Sequence, residues 1–351
     1  MKKLVLFLVI MFYSYMSFSS DMTPLQTGPF AIDCFLEAQL VDPNIYYYEA
    51  ATLCGNSFYI NETMQCYQSA NQHTAGLLGS HRDRNAALLC SGASSNAPVD
   101  CFLKAKNDLR GLDFNTVEAA LLCSGAKSNK PLSCFLEAYK LTTAFDNHRD
   151  QNIAYLCNGT GNGTGNGTNS DTPLNCFINA KSKNGLNIST KNAALLCSRA
   201  NSLIPLECFK QAKQELDMHD ETAALLCSQA SSPVTPLDCF KTAKLELWET
   251  EAALLCSQAK SQEPIACFHE SQKIKSHMPW HWKAAFLCSG ATNDKPLKCY
   301  KEMTSRNENT GFATSFTGER ALFQDEASVL CSQNGGLNGF FWILKPENKT
   351  R

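Results

Sequence analysis

The spacing of 18 cysteines constrains the fold of this 351-residue chain more than any other feature of its sequence. Nine cysteines are followed directly by Phe or Tyr, and the other nine end the motif Ala-Ala-Leu-Leu-Cys or a degraded form of it. The two kinds alternate, and successive cysteines of the first kind lie 28 to 35 residues apart, with one interval of 42. A period near 32 residues is typical of stacked two-helix repeats, so the sequence predicts nine repeats rather than two or three separate domains.

Each repeat carries the signals of two helices. In the fourth repeat, Pro131 suits a first helical turn, and Leu132, Phe135 and Ala138 follow at three-residue spacing. In the third repeat, residues 117–125 are rich in helix formers and end in glycine, a favoured helix terminator. We therefore predict an all-α fold, a solenoid of about nine disulfide-stapled helix hairpins, whose second helices are the more buried ones.

Cysteine pairing within each repeat leaves no cysteine over, whereas pairing across the linkers between repeats strands Cys34 and Cys331. In the shortest case, two legs of about seven residues, each rising roughly 10 Å, return Cys256 to the level of Cys239. The alternative, metal or redox chemistry, usually needs Cys-x-x-Cys spacing, which is absent from the sequence. The predicted disulfides are Cys34–Cys54, Cys66–Cys90, Cys101–Cys123, Cys134–Cys157, Cys176–Cys197, Cys208–Cys227, Cys239–Cys256, Cys267–Cys288 and Cys299–Cys331.

One connection of each repeat is constant and the other varies. From the second cysteine of a repeat to the first cysteine of the next, the interval is 11 or 12 residues in seven of eight cases. Within a repeat the interval ranges from 17 to 32 residues. The variable loops should gather at the edge of the array opposite the cysteines, and variable surface loops carry function more often than the elements they join. We expect a binding surface at that edge.

Outside the repeats, the chain begins with the order of a secretory signal peptide, two lysines, an apolar run and small residues, over residues 1–19. An uncleaved anchor helix is the alternative, but the apolar run is only about half the length of a membrane span. We predict repeats one to four over 20–157, a Gly/Asn/Thr-rich flexible insert at 158–172, repeats five to nine over 173–335, and an apolar cap or docking tail at 336–351. The expected location is secreted or periplasmic, with no membrane span after cleavage.

The insert contains three Asn-Gly-Thr sequons, which begin at Asn158, Asn162 and Asn166. Three more sequons begin at Asn61, Asn187 and Asn348. They are glycosylation sites if the source is a eukaryote that glycosylates secreted proteins, and chance matches in an Asn-rich chain otherwise.

The sequence offers little that points to catalysis. It contains no Gly-x-Ser-x-Gly elbow, no phosphate-binding glycine loop and no His-Glu-x-x-His motif. The formal net charge of -2 argues against a basic surface for nucleic acid. We therefore predict a protein that is not an enzyme, with no cofactor and no bound metal.

The segment 269–282 of the eighth repeat is the most unusual one, because it holds three of seven histidines and two of four tryptophans. Exposed indoles could stack on a sugar or peptide, and two of the histidines, His277 and His281, could share a metal if the intervening proline permits a helical turn. Alternatively, the indoles cover the end of a neighbouring hairpin and the histidines are solvated. The candidate ligand-binding residues are His269, His277, Trp280, His281 and Trp282.

These observations predict a secreted, non-catalytic binding or structural module that recognises a protein or a surface glycan through its variable loops. The alternative is a secreted enzyme, enzyme inhibitor or sugar-binding protein that uses segment 269–282.

Overall fold

The computed structural model describes residues 28–55, 57–74, 76–78, 81–110, 112, 114–142, 148–158, 172–274, 281–309 and 324–332. Within these residues there are eighteen α-helices and no β-strand, two helices for each predicted repeat. The first helices of the repeats are α1 (Gly28–Val41), α3 (Ile60–His73), α5 (Ala97–Asp108), α7 (Lys130–Lys140), α9 (Thr172–Lys181), α11 (Ile204–Leu216), α13 (Thr235–Ala243), α15 (Glu263–Gln272) and α17 (Lys295–Asn309). The second helices are α2 (Tyr47–Cys54), α4 (Arg82–Cys90), α6 (Thr116–Cys123), α8 (Arg149–Cys157), α10 (Thr190–Cys197), α12 (Asp220–Cys227), α14 (Glu249–Cys256), α16 (His281–Cys288) and α18 (Gln324–Cys331).

All nine predicted disulfides are confirmed. Each joins the two helices of one repeat, with Cα atoms 5.5 to 5.7 Å apart, and no cysteine of the chain is free. Every second helix ends at its disulfide cysteine. The nine bridges therefore lie along one edge of the array. The opposite ends of the helices, with the described residues of the loops that join them, lie along the other edge, which we call the loop edge.

The array closes into a ring. Each second helix packs against the second helices of the repeats before and after it, and α18 of the ninth repeat packs in the same way against α2 of the first. Likewise α17 packs against α1. The sequence predicted a solenoid of nine hairpins, which the structure confirms, but it did not predict that the two ends would meet. Because of this closure, the first and ninth repeats cover each other's terminal faces.

The second helices form the inner layer of the ring and the first helices form the outer layer. The inner helices have only 8 or 9 residues, and from the first alanine of the Ala-Ala-Leu-Leu-Cys motif to the cysteine they are buried. Paired alanines such as Ala119 and Ala120 are fully buried and allow neighbouring inner helices to approach closely. The outer helices bury one face only, through residues such as Phe135 and Ala138, and keep charged residues on the other.

Two outer helices carry Tyr where the others carry Phe. The Tyr67 ring is buried like the phenylalanines, and its hydroxyl donates a 3.0 Å hydrogen bond to Asp42 Oδ2 of the preceding repeat. Burial raises the pKa of the Tyr67 phenol far above its usual range. The hydroxyl therefore stays protonated as a donor and links repeats one and two.

A turn with a positive φ at its second central position follows six of the inner helices and leads into the next repeat, whereas Gly55 directly after α2 is right-handed at φ -57° and ψ -16°. In the third repeat, Ser124 has φ -56° and ψ 123°, Gly125 has φ 61°, and Ala126 N–H donates to Cys123 O at 3.0 Å. The second central position needs a positive φ, which glycine adopts without cost. The sixth repeat places Gln229 there at φ 57°. Its Nε2 is also buried without a hydrogen-bond partner.

We expect Gln229→Gly to raise the free energy of unfolding by about 0.5–1 kcal/mol, because relief of the left-handed strain exceeds the extra chain entropy of glycine. The reverse change, Gly125→Gln, should lower it by a similar amount. Urea unfolding of both variants with intact disulfides measures the two values. Equal stability of both variants and the parent would contradict the assignment of strain to this position.

The serine at the end of the motif joins neighbouring inner helices. Ser124 Oγ donates to Leu88 O at 2.6 Å, and Ser91 Oγ donates to Thr52 O at 2.8 Å, in each case across to the preceding repeat. The same bond recurs at Ser198 and Ser289, which donate to Tyr155 O and Leu254 O. Ser228 and Ser257 break the series, since the Oγ of each is buried without a hydrogen-bond partner among the described residues.

This contrast gives a matched pair of variants. Ser124→Ala should lower the free energy of unfolding by about 1 kcal/mol, because it removes a buried hydrogen bond to a main-chain carbonyl. Ser228→Ala should be neutral or slightly stabilising, because it removes an unpaired buried hydroxyl. Chemical denaturation of the two variants side by side tests this, and an equal loss in both would show that the serines act by packing alone.

The boundary at the predicted insert is packed like the others. Asn158 takes the place of the serine, donates from Nδ2 to Leu121 O, and accepts a 2.7 Å bond from Arg199 Nη2 on Oδ1. Burial lowers the pKa of Arg199. The Asn158 side chain is thus buried and engaged on both sides, so this first sequon is not available for glycosylation in the folded protein.

Three predicted segments lie outside the described residues: the signal peptide at 1–19, residues 159–171 of the insert, and the tail at 336–351. Among the described helices, none combines the length and the apolar character that crossing a bilayer requires.

Candidate functional site

Large apolar side chains that remain exposed are concentrated at the loop edge. Of the thirteen such side chains in the described part of the chain, seven lie there. Four lie in the linkers at the disulfide edge and two on the outer helices. The loop-edge group consists of Leu40, Tyr46, Leu77, Val117, Leu141, Leu245 and Trp248.

The seventh repeat presents the most exposed pair. Its two cysteines have the smallest sequence separation of the nine repeats, 17 positions, and its loop leaves Leu245 83 % and Trp248 80 % exposed. Between them, Leu247 is buried and anchors the turn. Leu247 N–H donates to Ala243 O at 3.0 Å, so the loop continues directly from the end of α13.

Trp248 is held by its main chain at the start of α14. Its φ of -63° and ψ of 153° are those of an N-cap residue, and its N–H donates to Glu251 Oε2 at 3.3 Å. The backbone is therefore fixed while the indole projects into solvent. Sequence analysis missed Leu245 and Trp248 as site residues, although an apolar pair flanking a third apolar residue in the shortest loop was a usable signal.

The seventh repeat contacts the predicted segment of the eighth. His269 on α15 bonds through Nε2 to Glu246 Oε2 at 3.1 Å, across the repeat boundary. His269 and His281 both contact the buried Phe268 ring, with centroid distances of 6.1 and 6.0 Å. The structure therefore places two of the five predicted residues, His269 and His281, beside the phenyl ring of Phe268. The His269–Glu246 bond connects this group to the loop that carries Trp248.

The other predicted residues are placed differently. Trp282 is half-buried on α16, with Lys283 Nζ 5.6 Å from the centre of its ring. His277 and Trp280 lie outside the described residues, so their part in a ligand site stays a prediction. In the part of the chain that the structure describes, no three His, Cys, Asp or Glu side chains are grouped closely enough to hold a metal ion.

The loop edge of repeats one and two has perturbed charges. Burial raises the pKa of Glu49, although a hydrogen bond from Tyr46 N–H opposes this, and nearby Asp83 adds to the rise. Burial also lowers the pKa of Arg84 on the neighbouring inner helix. Tyr46, whose N–H bonds to Glu49, is itself exposed.

The loop edge of repeats six and seven is acidic. Residues 213–221 and 241–251 contain seven carboxylates and three lysines. Two of these lysines are already paired within the protein, Lys213 with Asp220 and Lys241 with Glu215, each at 2.9 Å. Exposed Leu245 and Trp248 thus stand in a negatively charged surrounding.

The fold and this surface define a class: a ring of nine disulfide-stapled helical hairpins with apolar side chains displayed along one edge. Nine disulfides indicate a chain that matures in an extracellular or other oxidising compartment. Comparison of the chain with models of known protein families, with curated proteins and with solved structures finds no match.

Proposed function

We propose that this protein is a secreted or periplasmic, non-catalytic binding module that holds a protein or surface-glycan partner on its loop edge. On this proposal, residues 1–19 direct export and are removed. The observation that carries it is the concentration of exposed large apolar side chains at the loop edge, led by Trp248 and Leu245. Exposed apolar groups on an otherwise well-covered surface mark interaction sites, and tryptophan is prominent among binding hot spots.

The construction of the ring supports a binding role. The helices and disulfides form a constant frame, whereas the loops differ from repeat to repeat in length and charge. A rigid frame keeps the loops preorganised, which lowers the entropy lost on binding. A ring also brings the loop ends of the described helices to one face, where a large partner can touch several repeats together.

Site-specific photo-crosslinking in the culture that produces the protein tests the proposal. A photoreactive phenylalanine analogue is placed at Tyr46 or Trp248 on the loop edge, and at Phe58 or Val234 on the disulfide edge. We expect adducts of one defined partner from the loop-edge positions and none from the disulfide-edge positions. Equal labelling from both edges, or labelling from the disulfide edge alone, would refute a binding surface at the loop edge.

Stepwise replacement of the loops separates the proposal from the alternative that uses segment 269–282. A binding array should lose affinity for the crosslinked partner gradually as loops are altered one at a time. An enzyme, inhibitor or sugar-binding site in the eighth repeat should lose its activity with His281 or Trp282 alone, while changes such as Trp248→Ala leave it intact.

A further inference from the structure

The tip of the seventh repeat has the form of a preorganised apolar anchor. Leu245 and Trp248 both point outward on a turn that is held by main-chain hydrogen bonds and by buried Leu247. A partner that contacts this pair buries apolar surface without first ordering a loop, so little entropy is lost. Neither side chain contributes to the core, so the stability of the fold does not explain why one short loop displays two exposed apolar groups.

The charge around the anchor defines what kind of segment can approach. The loop edge of repeats six and seven, residues 213–221 and 241–251, is called the arc here. Besides the carboxylates already paired with lysines, the arc carries Asp217, Glu246, Glu249 and Glu251. Glu246 bonds to His269, and Glu251 caps α14 through Trp248 N–H. Glu249, the residue next to Trp248, has one carboxylate oxygen that is buried without a hydrogen-bond donor among the described residues. Glu249 lies in the first turn of α14, where the helix N-terminus favours a carboxylate.

The eighth repeat limits the arc on one side. In the described residues its loop edge carries Lys273 and Lys283, and Lys273 is paired with Glu270. On the other side, Glu221 of the sixth repeat is paired with Lys191 at 2.7 Å. The carboxylates that lack a lysine partner among the described ion pairs therefore lie around Leu245 and Trp248, where they favour a cationic segment.

From these observations we propose that the loop edge of repeats six and seven, residues 213–221 and 241–251, binds a basic amphipathic protein segment. The apolar side chains of the segment pack on Leu245 and Trp248. A lysine or arginine lies over the Trp248 indole, where cation–π attraction and the charge of Glu249 act on the same group. This inference rests on the proposed function and names the partner chemistry for one arc of the loop edge.

Three synthetic peptides serve as probes for the intact, oxidised protein. The first has leucine and lysine at helical spacing, the second has glutamate in place of every lysine, and the third has serine in place of every leucine. We expect the leucine–lysine peptide to bind at least about tenfold more tightly than either of the others, as measured by calorimetry. Its binding should also change the fluorescence of Trp248 and weaken as salt is added.

Variants assign the binding to the arc. Leu245→Ala and Trp248→Ala should each weaken binding of the leucine–lysine peptide by about tenfold, in the range of interface hot spots. Glu249→Gln should weaken it less, by about threefold, and reduce its salt dependence. Ile178→Ala is the matched control, because Ile178 is an exposed apolar residue on the outer face of the ring. All four positions are exposed or at the surface, and circular dichroism checks that each variant keeps its helices.

Each contrary result has a distinct meaning. Equal binding of the serine–lysine peptide would reduce the interaction to charge alone, and equal binding of the leucine–glutamate peptide would remove the cationic requirement; either overturns the inference. Self-association of the protein that protects Trp248 from a soluble quencher would assign the surface to a second copy of the chain and overturn it too.

If the peptides fail while crosslinking still maps a partner to the loop edge, the inference fails and the proposed function stands. If both fail, both are wrong.

Discussion

Complete reduction should convert this protein from a ring of helices into an unfolded chain. The nine disulfides close loops of 17 to 32 residues, and in the chain-entropy account each is worth about 3–4 kcal/mol. Together they contribute on the order of 30 kcal/mol, whereas a folded domain is typically stable by about 5–15 kcal/mol. The inner helices have 8 or 9 residues, a length at which isolated helices are marginal in water.

Far-UV circular dichroism before and after reduction measures the effect, with alkylation of the thiols to prevent reoxidation. We expect most of the helical signal to be lost and no cooperative thermal transition to remain. A reduced, alkylated chain that still melts cooperatively would show that packing alone holds the ring, and the entropic role of the disulfides would have to be abandoned.

Two double variants make the same prediction quantitative. Replacing Cys239 and Cys256 with alanine removes the shortest loop, and replacing Cys299 and Cys331 removes the longest. Loop-closure entropy grows only slowly with length, so the two losses should differ by less than about 1 kcal/mol. A difference of several kcal/mol would mean that local packing, rather than loop closure, determines what each bridge contributes.

The sequence predicts the hairpins well because the signals for each hairpin lie within its own repeat. Pairing across the linkers would join cysteines that are nearer in the sequence but would leave Cys34 and Cys331 over, whereas pairing within repeats uses all 18. Prolines such as Pro131 mark where an outer helix begins, and glycines such as Gly125 mark the turn after an inner helix. These are local signals, so they can be recognised without knowledge of the rest of the fold.

Closure of the ring could not be predicted in this way. The curvature of a repeat array comes from a small rotation between neighbouring repeats, which accumulates over the whole array and leaves no motif at its ends. The ninth repeat even looks irregular in sequence, with 32 residues between its cysteines, yet α18 packs on α2 as the other inner helices pack on their neighbours.

The sequence could have drawn attention to the apolar loop of the seventh repeat, but it could not show which of its residues are exposed. Leu245, Leu247 and Trp248 are all apolar and nearly adjacent, so composition does not distinguish the buried one from the exposed ones. The distinction arises because the short turn points Leu247 toward the core and the other two away from it. In contrast, segment 269–282 stood out by composition, yet its described candidate residues, His269, His281 and Trp282, are half-buried or exposed and only partly grouped.

Deleting the ninth repeat should destabilise the protein far more than removal of an end repeat from a linear array. In a linear array the loss is one interface, but here it is two, since α18 packs against both α16 and α2. The ninth repeat contributes Val329, Leu330 and Tyr300 as buried side chains. At about 1.5–3 kcal/mol for each of these three buried side chains, the free energy of unfolding should fall by at least about 5 kcal/mol. We expect a chain ending at residue 294 to melt at least about 10 °C lower than the parent.

A low melting temperature alone would not prove closure, because any deletion exposes apolar surface. A circular permutant separates the two explanations, since it retains all nine hairpins and moves the chain ends to another repeat boundary, omitting only residues 1–29, 159–171 and 333–351. It starts at Thr172 and ends at Asn158, so the new termini fall in the predicted insert. Ser332 is joined to Phe30 by a copy of residues 125–129, which restores the ordinary interval of 11 residues between the flanking cysteines, Cys331 and Cys34.

The length of that junction makes the experiment decisive. Five residues span at most about 18 Å, which suffices only if the first and ninth repeats are neighbours. In a closed ring the junction replaces a missing linker and leaves the interfaces between repeats intact. The free energy of unfolding of the permutant should then lie within about 1 kcal/mol of the parent's, and all nine disulfides should form. In an open array the ends are separated by the stacked width of nine hairpins. The same junction would then prevent folding or mispair the cysteines, and peptide mapping of the oxidised permutant would reveal which of the two architectures the chain adopts.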